Sequence, residues 1–114
     1  MATISGTHVW IAKGVLKSVW SSITGADVGT YLDAPNLPDK TVTVSGTFDG
    51  STTIIQDGAG VTLNDSRGEG NSLCFTAANT TTINENPQQM RFSTSGGGGS
   101  QNLTVTIISQ SARR

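Results

Sequence analysis

Residues 40–48 read KTVTVSGTF, and this stretch decides the fold class. Val42 and Val44 alternate with Thr41, Thr43 and Ser45, so a side-chain period of two puts the valines on one face and the hydroxyls on the other. β-Branched residues suit a pleated, half-covered surface and disfavour long helices. LTVTII (103–108) repeats the pattern with Leu103, Val105 and Ile107 inward. Shorter segments of the same type are TTII (52–55), VTL (61–63), LCFT (73–76), TTTI (80–83) and MRFST (90–94).

Turn signals separate these segments: Asp49-Gly50, Asp57-Gly58, Ser66-Arg67-Gly68, Asn86-Pro87 and the run Gly96–Gly99. Strands at a spacing of roughly 8–12 residues with such turns predict an all-β protein. The expected architecture is an antiparallel β-sandwich or barrel, Ig-like or jelly-roll-like. The glycine run has no lysine beside it and no helix after it, so it is no phosphate cradle. About fifteen residues follow it, most of them in one alternating strand, so a tether to a second domain is not expected either. It is expected to be a hairpin connection between MRFST and LTVTII, with a mobile tip or a close approach by another subunit.

The first forty residues are less regular. Val9 and Ile11, then Val15, Lys17 and Val19, alternate as a strand does, whereas Ala12, Leu16, Val19 and Ile23 would line one stripe of a helix. Gly14 and the valines favour extended structure. GADVGT (25–30) reads as a turn and DAPNLPD (33–39) as a proline-stiffened connection outside the sheets. Residues 1–12 precede the regular pattern and are expected to form an arm leaving a single β domain at 13–114.

The chain of 114 residues suits one domain. Charged residues are 13%, the formal net charge is −1 and the pI about 5.6, which provides no basic face for nucleic acid. Arg113-Arg114 reads as a solvated tail. One cysteine, Cys74, rules out an internal disulfide and a four-cysteine zinc site. The N-terminus lacks the basic and apolar regions of a secretory signal, and no apolar run nears the roughly 20 residues of a membrane span. A soluble protein with no membrane partner is expected.

Nothing in the sequence marks catalysis, a cofactor site or a metal site. His8 is the one histidine, lies in the expected arm and is far in sequence from Cys74. Cys74, between Leu73 and Phe75, should face away from them as a small packing side chain. Asp27, Asp33, Asp39, Asp49, Asp57, Asp65, Glu69 and Glu85 are scattered, several at turn positions that Asp favours for local hydrogen bonds. NDSRGEGN (64–71) has oxygen ligands and glycines but not the spacing of a calcium loop. An enzyme and a small-molecule substrate are therefore not expected. The tryptophans are more informative: Trp20 reads as core, and Trp10 as either core or a partner contact, with Val9 and Ile11 beside it.

TVTVSGTFDGSTTIIQ, SLCFTAAN and INENPQQMRFSTSGGGGSQNLTVTIISQSARR together resemble a family of small structural proteins of tailed bacteriophages. The shared order runs through Gly46-Thr47-Phe48, Leu73 to Ala78, Glu85-Asn86-Pro87, Met90 to Phe92, the glycine run, and Leu103 to Ile107. The resemblance covers about the last two-thirds of the chain; DGAGVTLNDSRGEGN departs from the family's tryptophan-containing turn. It implies a virion component, most like a capsid decoration (cement) protein made in the bacterial cytoplasm and bound to the head surface. The implied partners are the major capsid protein and further copies of the chain, commonly as a homotrimer. Val9, Trp10 and Ile11 are then the expected partner-binding residues. Tail or head–tail joining components and carbohydrate-binding β-sandwiches are the alternatives, the last requiring exposed aromatic residues as a sugar platform.

Overall fold

The computed structural model describes residues 2–34, 36–64 and 72–111. The expected Ser66-Arg67-Gly68 turn, NDSRGEGN beyond Asn64, and the Arg113-Arg114 tail lie outside the described residues. Ten strands form: β1 (Thr3–Ile4), β2 (Thr7–Ala12), β3 (Val15–Ile23), β4 (Val28–Gly29), β5 (Asp39–Thr47), β6 (Thr52–Asp57), β7 (Cys74–Phe75), β8 (Asn79–Thr82), β9 (Met90–Ser95) and β10 (Asn102–Gln110). The described residues contain no helix, so residues 9–23 take the extended reading.

The strands make two five-stranded sheets, ordered β1-β4-β9-β6-β7 and β2-β3-β10-β5-β8. All neighbours run antiparallel except β1 and β4. Without β1 and β2, the two four-stranded sheets have the strand order of a jelly roll, in which successive strands alternate between opposing sheets except for the hairpin β6–β7. The KTVTVSGTF and LTVTII segments pair directly, Val44 opposite Val105 and Val42 opposite Ile107. Their inward residues are fully buried, together with Trp20 and Ile23 from β3 and Ile55 and Phe92 from the facing sheet. Trp20 meets Phe92 edge-on, ring centroids 6.0 Å apart, and Gly29 of β4 makes room for both. A Cβ at Gly29 would lie 2.6 Å from the Phe92 ring and 3.0 Å from the Trp20 indole nitrogen.

Three expectations are corrected. GADVGT is not only a turn: Val28–Gly29 is β4, bridging β1 and β9, because each of those edges needs main-chain partners. Residues 1–12 do not leave the domain as an arm. β1 adds to the edge of one sheet through β4 and β2 to the edge of the other through β3. The glycine run is not a hairpin, since β9 and β10 belong to opposing sheets. It spans the gap of about 10 Å between them. DAPNLPD lies outside the sheets over its described residues up to 38, following the Leu32–Met90 bridge, and its last residue, Asp39, opens β5 opposite Gln110.

Candidate functional site

β2 and β3 form a hairpin that turns at Lys13-Gly14, with Gly14 at φ 75°. Thr7 pairs with Val19, Val9 with Lys17 and Trp10 with Leu16, and the ladder is irregular between Trp10 and Ala12. All six residues of β2, an edge strand of its sheet, are exposed. Period two then divides the expected contact residues between two faces. Val9 and Ile11 lie on the outer face, where with Thr7, Lys17, Val19 and Ser21 they line a shallow groove of about 370 Å³. Trp10 and His8 lie on the other face, the one Leu16, Ser18 and Trp20 turn toward the core. His8 Nδ1 is 2.8 Å from Ser18 Oγ, and its ring meets Trp20 edge-on at 6.0 Å.

Around Trp10 the hairpin and the 31–37 connection enclose two adjoining hollows of about 370 and 480 Å³, sharing Trp10, Leu16 and Asp33 as lining. Tyr31 borders the first, and Asn36 and Gln88 the second. The Tyr31 ring carries the Arg91 guanidinium 4.7 Å from its centroid, and Arg91 Nε donates to Gln56 Oε1 at 2.9 Å. Gln88 Nε2 donates to Asp33 Oδ1 at 3.0 Å. The 31–37 connection is fixed from below by Lys40. Its buried ammonium donates to Ala34 O at 3.0 Å, Leu37 O at 2.7 Å and Asn86 Oδ1 at 2.6 Å. Burial pushes the Lys40 amine below its ordinary value.

The other residues singled out from sequence fall in different places. Trp20 is fully buried, and Cys74 is exposed while Leu73 and Phe75 are buried. His8 is on an edge of one sheet and Cys74 on the far edge of the other, so the fold does not join them. Carboxylates serve local turns: Asp57 Oδ1 accepts from the amides of Ala59 and Val61, and Asp27 from those of Ala2 and Gly25. Glu85 accepts from the backbone and side-chain nitrogens of Asn64, both at 2.8 Å. No group of three metal-ligating side chains occurs among the described residues. The contributions of Tyr31, Asp33, Asn36 and Gln88 to one groove were not read from sequence.

Among solved structures, the chain is similar to the SPBc2 prophage-derived protein YomS, with a TM-score of 0.63 and 16% identity over 90% of this chain and 99% of that one. It also matches a provisional mannose-6-phosphate isomerase from Ralstonia eutropha JMP134, with a TM-score of 0.46 and 13% identity over 94% of this chain and 83% of that one. Cobalt(II) HppE follows at 0.46 and 7%, over 91% of this chain and 51% of HppE. No family model and no curated protein matches the sequence. The likeness to YomS shows a shared fold, and YomS is a prophage protein. One expectation is corrected by these matches. The exclusion of enzymatic activity rested on absent motifs, and the matched structures include an isomerase and HppE, so that exclusion does not stand. At this level of likeness the matches indicate neither substrate nor reaction.

Proposed function

We propose that the chain is a structural component of a tailed-phage virion that decorates the assembled head. The observation that carries this reading is the end-to-end likeness of its fold to a prophage-derived protein of nearly the same extent. The ordered motifs from Gly46-Thr47-Phe48 to Leu103–Ile107 support it independently. In this reading the chain, as a trimer, binds the major capsid protein at the outer surface of the head. The contact uses the outer face of the N-terminal hairpin. Val9 and Ile11, each about half exposed, supply apolar area, and the free edge of β2 supplies main-chain donors and acceptors for strand addition. Trp10, on the opposite face, lies outside this contact.

The test adds purified protein to expanded heads that lack it and follows capsid melting and copy number. Binding is expected to raise the capsid melting temperature, with hundreds of copies retained per head. A Val9→Ser/Ile11→Ser double variant is expected to bind about tenfold more weakly or worse, as loss of two buried apolar side chains implies. Identical melting with and without the protein overturns the proposal. A copy number of one ring per particle moves the chain to the head–tail connector or tail.

A further inference from the structure

Of the six aromatic residues, Trp20, Phe48, Phe75 and Phe92 are buried. The two left exposed, Trp10 at 61% and Tyr31 at 36%, stand 21 positions apart in sequence, yet both line the same groove. The fold brings them together because β3 and β4 face each other in opposing sheets, so the chain leaving β4 passes beside the hairpin. Around these rings the lining turns polar: Asp33, Asn36 and Gln88.

We infer that the groove beside Trp10 is a binding site for a neutral saccharide, separate from the lattice contact proposed for Val9 and Ile11. A pyranose ring presents an apolar C–H face and a rim of hydroxyls. An exposed indole offers the C–H face a π surface with a negative quadrupole. Carboxylate and amide groups meet the rim as acceptors and donors in fixed directions. Gln88 holds the Asp33 carboxylate in place, and Lys40 holds the loop carrying Asp33 and Asn36, so ligand binding does not have to order them. The combined hollows fall within the range of about 300–1,000 Å³ usual for small-ligand sites. The Asp33 carboxylate disfavours acidic sugars, and the two cations around the groove are already engaged, Arg91 with Tyr31 and Gln56 and Lys40 with Ala34, Leu37 and Asn86. A proline-rich peptide also packs on exposed aromatics, but it needs an apolar run of grooves. Here the rings are followed by two side-chain amides and a carboxylate.

The experiment titrates the full-length chain with maltotriose, cellotriose, chitotriose and a panel of bacterial surface oligosaccharides, reading intrinsic fluorescence. Trp20 is fully buried, so a ligand-dependent change reports Trp10. At least one neutral saccharide is expected to give a saturating blue shift. Affinity is expected to fall about tenfold or more in Trp10→Ala, as loss of one stacking platform implies, and to fall in Asp33→Ala. The Val9→Ser/Ile11→Ser variant, compromised in the capsid assay, is expected to bind saccharide normally. A flat response to the whole panel overturns the inference, and so does binding that survives Trp10→Ala. A response to a polyproline peptide with none to saccharides overturns it in favour of a peptide groove. Because Trp10 is exposed, its truncation leaves the core intact, and an unchanged melting temperature checks this.

Discussion

Lys40 is the residue at which the fold departs furthest from what its chemistry alone suggests. It is 1% exposed, on the inward face of β5 beside Val42, and its ammonium is held by oxygens of Ala34, Leu37 and Asn86. Three neutral oxygens receive its three N–H donors, two of them the main-chain carbonyls of Ala34 and Leu37 in the connection ahead of β5. The period of two in KTVTVSGTF already put Lys40 on the valine face. What the sequence left hidden was the set of acceptors, which come from elsewhere in the chain and meet only after the sheets assemble. Burial lowers the amine's value in the folded state below the usual 10.5. Between the lowered value and 10.5 the unfolded chain therefore binds more protons than the folded one, and this group's contribution to stability rises with pH through that window. Lys40→Met is expected to abolish that rise. It is also expected to lower stability near neutrality by about 2 kcal/mol, because three acceptors lose their donor while a buried charge is relieved. Urea denaturation of both proteins from neutrality to pH 10.5 checks the two effects. A parallel pH dependence in the variant would assign the rise to other groups.

At the scale of elements, alternation identified β5, β6, β9 and β10 closely, because long half-buried strands carry their own pattern. It did not identify β1 or β4, two residues each, whose extended state is imposed by neighbours. Nor does a period of two say which sheet a strand joins, and so the glycine run was expected to close a hairpin. Its actual role is to cross between sheets beside two other crossings. Gly98 N donates to Asp49 O at 3.0 Å and Ser100 N to Asp49 Oδ2 at 3.0 Å, which ties it to the β5–β6 crossing. Gln101 Nε2 donates to Ile23 O at 3.2 Å and Gly25 O at 3.0 Å, which ties it to the β3–β4 crossing. Close approaches to the run are thus made by groups of its own chain. A Cβ on Gly97, at φ 97°, would run into Gln101 Oε1, whereas one on Gly99 meets nothing within 4 Å. Gly97→Ala is therefore expected to cost about 2–3 kcal/mol, from left-handed strain and displacement of the Gln101 amide. Gly99→Ala is expected to be neutral or to stabilise by up to about 1 kcal/mol through the unfolded chain. Equal melting temperatures for the two variants would mean that the run is an unconstrained loop.

At the scale of the whole molecule, the eight strands from β3 to β10 contain the jelly roll, and residues 1–12 cover one flank of both sheets. That flank is more than ornament. Ala2 N donates to Asp27 Oδ1 at 3.1 Å, Gly6 N to Thr30 Oγ1 at 3.0 Å, and Ile4 packs against the core. The same Thr30 hydroxyl accepts from Trp20 Nε1 at 3.4 Å, so the segment closes over the indole at the centre of the fold. The expectation of a separable arm came from a real feature, the weak patterning of a strand exposed on both faces. Such a strand needs no alternation, and its place is set by edges it caps. If residues 13–114 are the folding unit, their removal from the arm leaves a protein that still unfolds in one transition. It is expected to be less stable by about 2–4 kcal/mol, from partial exposure of Trp20 and Ile4's loss from the core. The uncovered edges of β3 and β4 are also expected to drive self-association, as unpaired main-chain groups beside an apolar core do. Chemical denaturation with light scattering measures both. A truncated chain as stable and as dispersed as the full one would return residues 1–12 to the status of an arm, and an unfolded one would make them part of the domain.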